Sequence, residues 1–449
     1  MQRFEFKDGK SHKFWEIHVE GDSFTVRFGK HGTDGQTSSK TYPTADKAQL
    51  EAEKLIKSKT KKGYVEVAAA DRPAPTAQPT GGNPELEAPI HANPNDLEAW
   101  QVYGDWLGEQ GDPRGELVNI DCAILGGKSD AALTARRDAL IAEHAASWLG
   151  KDLGKVLHND EVFEIEWKLG FAYAVRVRKS WDAEDAPSPG QMIRLLLKSD
   201  ASRFLHELSI GVTDLEGDVQ FQDELNALTK SGKLPSLRRL VIGDFTYEEC
   251  EISWSNIGDV GRIWPVLPNL EYVKVHGGSI GLGDIAHEKL TQLVVETGGL
   301  PGQAARQLSE ARLPSLTSLE VWLGTENYGG SSSVKDLAGV LEGKGLPKLK
   351  HLGLQDADFQ DDIVRALCTA PIVKQLETLD ISMGILTSEG ANAMVEHQDH
   401  FAHLTSINVD RSWIGDAAQE ALRAAFGDKI QIGSQNDDAD DYRYVAVGE

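Results

Sequence analysis

Phe28, Lys30 and His31 stand within four residues of one another, with Lys40, Lys61 and Lys62 farther along the same short segment. An aromatic ring can stack on a base or sugar while nearby ammonium groups attract phosphate, which is the chemistry of a nucleic-acid contact. Stacking of that kind contributes about 1–3 kcal/mol per base in single-strand binders. A plainer assignment competes with it. Phe28 alternates with Phe24 and Val26, which predicts an inward strand residue, and the lysines then form a solvated face. The two readings part at exposure, because a stacking ring must be reachable and a core ring is not.

Other groupings are less productive. Asp105, Asp112, Arg114 and Glu116 bring acids and a base together, but around helix ends they are expected as caps and ion pairs. His397, His400 and His403 are spaced by three at the end of an expected helix, and no metal site is expected there. The run Gly277-Gly-Ser-Ile-Gly-Leu-Gly283 lacks the Lys-Ser/Thr ending of a phosphate loop and is expected to connect two elements. No Gly-x-Ser-x-Gly, His-Glu-x-x-His or Cys/His nucleophile arrangement occurs. The chain therefore reads as non-enzymatic, with no catalytic residue, metal or cofactor expected.

The elements that position Phe28 and the lysines lie in residues 1–67. Trp15, Ile17 and Val19 form one alternating strand and Phe24, Val26 and Phe28 the next, with Gly21-Asp22 as the turn. Thr44 is placed to cap a helix starting near Ala45, whose buried stripe is expected to be Ala48, Ala52, Leu55 and Ile56. A last strand follows at Tyr64-Val-Glu-Val67. This order, with Phe14-Trp-Glu-Ile17, Phe28-Gly-Lys-His-Gly32, Gly35-Gln36 and Lys61-Lys-Gly-Tyr64, resembles a WGR domain. Phe28-Gly29-Lys30 occupies the place of the naming Trp-Gly-Arg tripeptide. The resemblance implies a small α+β module that binds DNA ends, as in DNA-dependent poly(ADP-ribose) polymerases, or a regulatory part of the MolR kind. Lys30 keeps the charge of arginine but not its planar two-pronged donor set.

Residues 68–84, AAADRPAPTAQPTGGNP, carry almost no large apolar side chain and are expected to be a flexible linker. Residues 85–155 are expected to be helical, with a stripe at Leu97, Trp100, Val102, Tyr103, Trp106 and Leu107 and a second helix opened by Asp112-Pro113. The run from Val102 to Glu116 is similar to a bacterial repeat-companion domain, a helical module that precedes leucine-rich repeats.

Over residues 156–433 the pattern Leu-x-x-Leu-x-Ile/Val recurs eight times, beginning at Leu205, Leu237, Leu270, Leu290, Leu316, Leu349, Leu376 and Leu404. Such a period implies one strand and one return segment per unit. The pattern resembles leucine-rich repeat proteins, whose fold is an α/β solenoid bent into a horseshoe, and the helical module before it would cap its first unit. Residues between the consensus positions then point outward onto the concave sheet face. They include Arg239, Tyr272, Lys274, His276, Glu320, Trp322, His351 and Asp380, a polar surface with exposed Tyr and Trp suited to a protein partner. Residues 434–449 are expected to be a loose acidic tail.

Bulk properties set the boundaries. The 449 residues carry a net charge of -24, split as +3 over residues 1–67 (13 basic, 10 acidic) and -27 over the rest (33 basic, 60 acidic). An acidic body disfavours nucleic acid, so any such contact belongs to the first segment. No apolar run is long enough to span a membrane, and no signal peptide is recognisable. Cys122, Cys250 and Cys368 are widely spaced, which fits a cytoplasmic protein without disulfides. The expectation is a bacterial adaptor: a protein partner on the repeat face, DNA on the WGR-like module, no membrane, and an oligomeric state that the sequence leaves open. The alternative is a protein-only or MolR-like regulatory protein in which the small module docks onto protein, including its own acidic body.

Overall fold

The computed structural model describes residues 2–8, 11–30, 36–67, 82–128, 130–217, 219–232, 234–437 and 442–448. The chain forms two compact units, Met1–Thr80 and Gly81–Glu449.

In the first unit, β1 (Gln2–Asp8), β2 (Ser11–Glu20), β3 (Ser23–Lys30), β4 (Gln36–Thr41), α1 (Ala45–Lys61) and β5 (Val65–Val67) build a five-stranded antiparallel sheet in the order β4-β3-β2-β1-β5. Gly21, at φ 57°, makes the β2–β3 turn without a Cβ penalty. The Thr44 hydroxyl accepts the Lys47 amide and starts α1. Ala48 and Ala52 are fully buried, so the helix lies close against the sheet, whereas Leu55 of the expected stripe is 37% exposed. Phe4, Trp15, Ile17 and Phe24 complete the core. Two strands fall outside the sequence expectation. β1 lies between β2 and β5, and β4 reads Gln-Thr-Ser-Ser-Lys-Thr, where no large apolar side chain gives a periodicity to register.

The second unit opens with helices α2 (Pro84–Ala92), α3 (Leu97–Glu109), α4 (Arg114–Leu125) and α5 (Ala131–Leu149). Trp100, Tyr103 and Leu107 are buried as the stripe requires, but Val102 is on the outer face. Pro113 takes the N-cap of α4 rather than its first turn. These helices pack through Val118 and Cys122 onto Leu169 and Phe171 of the β6–β7 hairpin (Phe163–Lys168 and Phe171–Val177).

That hairpin begins an eleven-stranded sheet. It continues with β8 (Glu207–Ile210), β10 (Arg239–Ile242), β12 (Tyr272–His276), β14 (Gln292–Glu296), β15 (Ser318–Gly324), β16 (His351–Ala357), β17 (Thr378–Asp380), β18 (Ser406–Asn408) and β19 (Ile430–Gln431). From β7 onward every pairing is parallel. The pairing holds one register: Leu208, Leu240, Val273, Leu293, Leu319, Leu352, Leu379 and Ile407 sit side by side across eight strands. All are buried, because the repeated apolar residue faces the same core at each step. β9 (Val219–Gln220), β11 (Ser255–Asp259) and β13 (Gly278–Gly281) form a second, three-stranded parallel sheet. The glycine-rich run is thus partly a strand, not only a connection.

The acidic tail departs from expectation. Residues 438–441 and 449 lie outside the described residues, but 442–448 are held: Val445 is buried and Tyr444, Ala446 and Val447 hydrogen-bond to the body.

Candidate functional site

Two surfaces carry the residues singled out by sequence. On the first unit, Phe28 pairs with Trp15 across β2–β3, at the end of β3 away from the turn. Trp15 is buried, but Phe28 is 39% exposed. Alternation therefore gives the face correctly and the burial wrongly, since the outermost position of an inward row is left half open. Lys59 Nζ lies 5.9 Å from the centre of the Phe28 ring, 5.6 Å from Trp15 and 5.1 Å from Tyr64. Burial, and then the nearby Lys62 charge, hold the Lys59 ammonium below its ordinary pKa. Lys59 is the residue that sequence reasoning passed over. Its signal is the helical spacing Ala52, Ile56, Lys59, which aims it at the sheet.

Lys61 ends α1 and Lys62 caps it, both exposed next to this patch in sequence. Lys40 is also exposed, but it pairs with Phe24, whereas Phe28 pairs with Gln36. Four residues of strand separate those two levels, about 13 Å, so Lys40 belongs to the other end of the sheet. Lys30 closes β3 opposite Lys13. The Lys30 side chain and His31 lie outside the described residues.

On the second unit, all eight predicted residues share one sheet face. Arg239 pairs with Tyr272, Lys274 with Val294, His276 with Glu296, Glu320 with Gly353, Trp322 with Gln355, His351 with Thr378, and Asp380 with Asn408. They are half-buried rather than free, each engaged by neighbours. Arg239 lies over the Tyr272 ring. Glu296 Oε2 meets Lys274 Nζ at 2.8 Å and His276 Nδ1 at 2.7 Å. Burial works against the Glu296 anion, yet the bonds from His276 and Lys274 hold its carboxyl below the usual range. The His276 ring stands edge-on to Trp322 at 6.3 Å and to Phe245 at 4.8 Å. His351 Nδ1 is 2.7 Å from Thr378 Oγ1, and Asn408 donates to Asp380 at 2.8 Å. This is a rigid, polar, mixed-charge platform with aromatic edges.

The remaining groupings make contacts within the fold. Asp112 and Arg114 form a buried pair whose guanidinium lies over the Phe171 ring. Asp105 accepts from Asn119, and Glu116 pairs with Arg136. His397, His400 and His403 each approach a backbone carbonyl, of Ala393, Ala370 and Val373 respectively.

Residues 1–71 match the WGR domain family. Two Escherichia coli K12 proteins are similar in this region. YfeS is 46% identical over 65 residues, 14% of this chain and 27% of YfeS. YehF is 40% identical over 81 residues, 18% of this chain and 30% of YehF. The chain thus spans under a third of the length of these relatives. A crystal structure of a Bacteroides fragilis protein superposes with a TM-score of 0.55 at 25% identity, covering 100% of this chain and 99% of the other. A WGR domain is consistent with nucleic-acid or protein binding.

Proposed function

We propose that the chain is a non-enzymatic adaptor: its WGR domain binds DNA at ends or breaks, and its large sheet holds a protein partner. The half-open Phe28 ring, with Lys59 over it and Lys61 and Lys62 beyond, carries this reading. Stacking needs a reachable ring, and phosphate needs a nearby cation; both are met on one patch. In this reading residues 156–433 are a leucine-rich repeat body, supported by the single register of the Leu-x-x-Leu-x-Ile/Val rows, and residues 85–155 are its repeat-companion cap. Arg239, Tyr272, Lys274, His276, Glu320, Trp322, His351 and Asp380 form the protein-binding face. A second reading rests on the charge split between the segments: the WGR domain docks onto acidic protein surface instead of DNA, in a regulatory role of the MolR kind.

The test is a titration of the full chain with 5′-phosphorylated nicked and blunt-ended DNA at several salt concentrations. Binding that weakens with salt by a log-log slope of about -0.9 per phosphate contact supports the DNA reading. Its loss in a Phe28→Ala/Lys59→Ala variant assigns it to this patch. Absence of binding at low salt removes the DNA reading and favours protein docking.

A further inference from the structure

Residues 442–448 run in reverse order across the ends of the last strands. Tyr444 O accepts the Trp413 indole N–H at 3.0 Å, beyond β18. The Ala446 amide donates to Met383 O at 2.8 Å, beyond β17. The Val447 amide donates to Asp356 Oδ1 at 2.9 Å, at the end of β16. Gly448 then packs on the Tyr328 ring, where a Cβ would come within 2.8 Å of it. Val445, 5% exposed, is the apolar anchor between the polar contacts.

The three strand ends are built alike. Asp356, Met383 and Arg411 stand at the same position of successive repeats, and all have left-handed backbones, at φ 56°, 72° and 52°. Their amides turn toward the next repeat, onto Ser382 O, Asp410 O and Ser434 O. That arrangement leaves the Met383 carbonyl and the Asp356 side chain to the crossing segment.

Asp356 is the unexpected choice. Asparagine tolerates the left-handed region and would accept the same amide without an ionisation to suppress. Instead the carboxyl is fully buried, and its Oδ2 has no partner among the described residues. A bare buried carboxylate is costly, and a proton on Oδ2 removes that cost.

We propose that residues 442–448 are a proton-dependent strap, closed over the strand ends while Asp356 holds a proton and released when Asp356 ionises. Burial pushes the carboxyl up to about 8, against the bond from Val447 and the charge of Arg411, which both favour the anion. Arg411, from the turn after β18, is the charged group acting on it from a packed element. Opening exposes the carboxyl to water and returns it toward its ordinary value of 3.8. Closing therefore takes up a proton between those two values, and rising pH opens the strap.

Amide hydrogen exchange of the 442–448 segment in the full chain, corrected for the intrinsic rate at each pH, tests this. Protection is expected to fall about tenfold per pH unit between about pH 6 and 8 and to level above that. Asp356→Asn is expected to hold protection flat over the range. Flat protection in the natural chain, or an Asp356→Asn curve that follows it, overturns the proposal. Ala446→Pro leaves the titrating group in place and removes one donor. It is expected to lower protection while keeping the same pH slope, and unchanged protection would overturn the strap contact itself.

Discussion

The guanidinium carbon of Arg239 lies 3.7 Å from the centre of the Tyr272 ring, and the two residues are direct neighbours in the β10–β12 register. Each fixes the other: the ring shields one face of the cation, and the cation holds the ring against the sheet. A double-mutant cycle of Arg239→Ala and Tyr272→Ala in urea unfolding is expected to give a coupling of about 0.5–1 kcal/mol. Additive effects would mean that the pair does not interact in solution.

The positions of Lys40 and Lys59 make a second prediction. If DNA is held at Phe28, Lys59→Ala and Phe28→Ala weaken it, the latter by about 1–3 kcal/mol if the ring stacks on a base. Lys40→Ala, at the other end of the sheet, is expected to leave affinity within about twofold, its charge being seen only through screened solvent. A larger loss at Lys40 than at Lys59 would move the contact surface along β4.

Glu224 gives a pH dependence. Its Oε1 accepts the Gly190 amide at 2.9 Å, Oε2 is buried without a partner among the described residues, and burial raises the carboxyl to about 7. The folded chain thus binds a proton that the unfolded chain, at 4.5, has released. The stabilisation is full below 4.5 and is lost as pH rises through about 7, up to about 3 kcal/mol in total. Urea midpoints should fall over that window in the natural chain and fall less steeply in Glu224→Gln, the remaining slope belonging to Asp356. A parallel fall in both would assign the effect to another group.

The repeat rows were readable in the sequence because each strand buries the same two or three consensus positions, so a local pattern and the global packing agree. The face residues followed from alternation alone. What alternation does not report is where a row runs out of cover. Phe28 is on the inward row yet half open at the end of β3, and only the helix spacing points to Lys59 of α1 above it. The strap was hidden for a different reason. Tyr-Arg-Tyr-Val-Ala-Val-Gly after an acidic run has the composition of a fraying end, and its anchors, Met383 O and the Asp356 carboxyl, belong to residues about 60 to 90 positions earlier.

Gly243 supplies a fourth prediction. It follows β10 directly at φ 85°, where a Cβ would stand 1.8 Å from the His276 carbonyl oxygen. Gly243→Ala is expected to destabilise by about 2–3 kcal/mol through backbone strain and collision together. It should also shift His276 from Glu296, measurable as a change in the His276 ring chemical shifts by NMR. A loss below about 0.5 kcal/mol would show that the neighbouring strand yields freely.

The eleven-stranded sheet has two open margins, and they are closed to further strands by different means. At one, β6 runs antiparallel to the rest and carries Glu164, Glu166 and Lys168. At the other, β19 offers only Ile430 and Gln431, too short to template another chain. A chain cut before residue 430 would present β18 as its margin and remove the cover that Ile430 and Ile432 give the end of the core. Such a truncated form is expected to self-associate more readily than the whole chain, measured as a rise in apparent mass by light scattering.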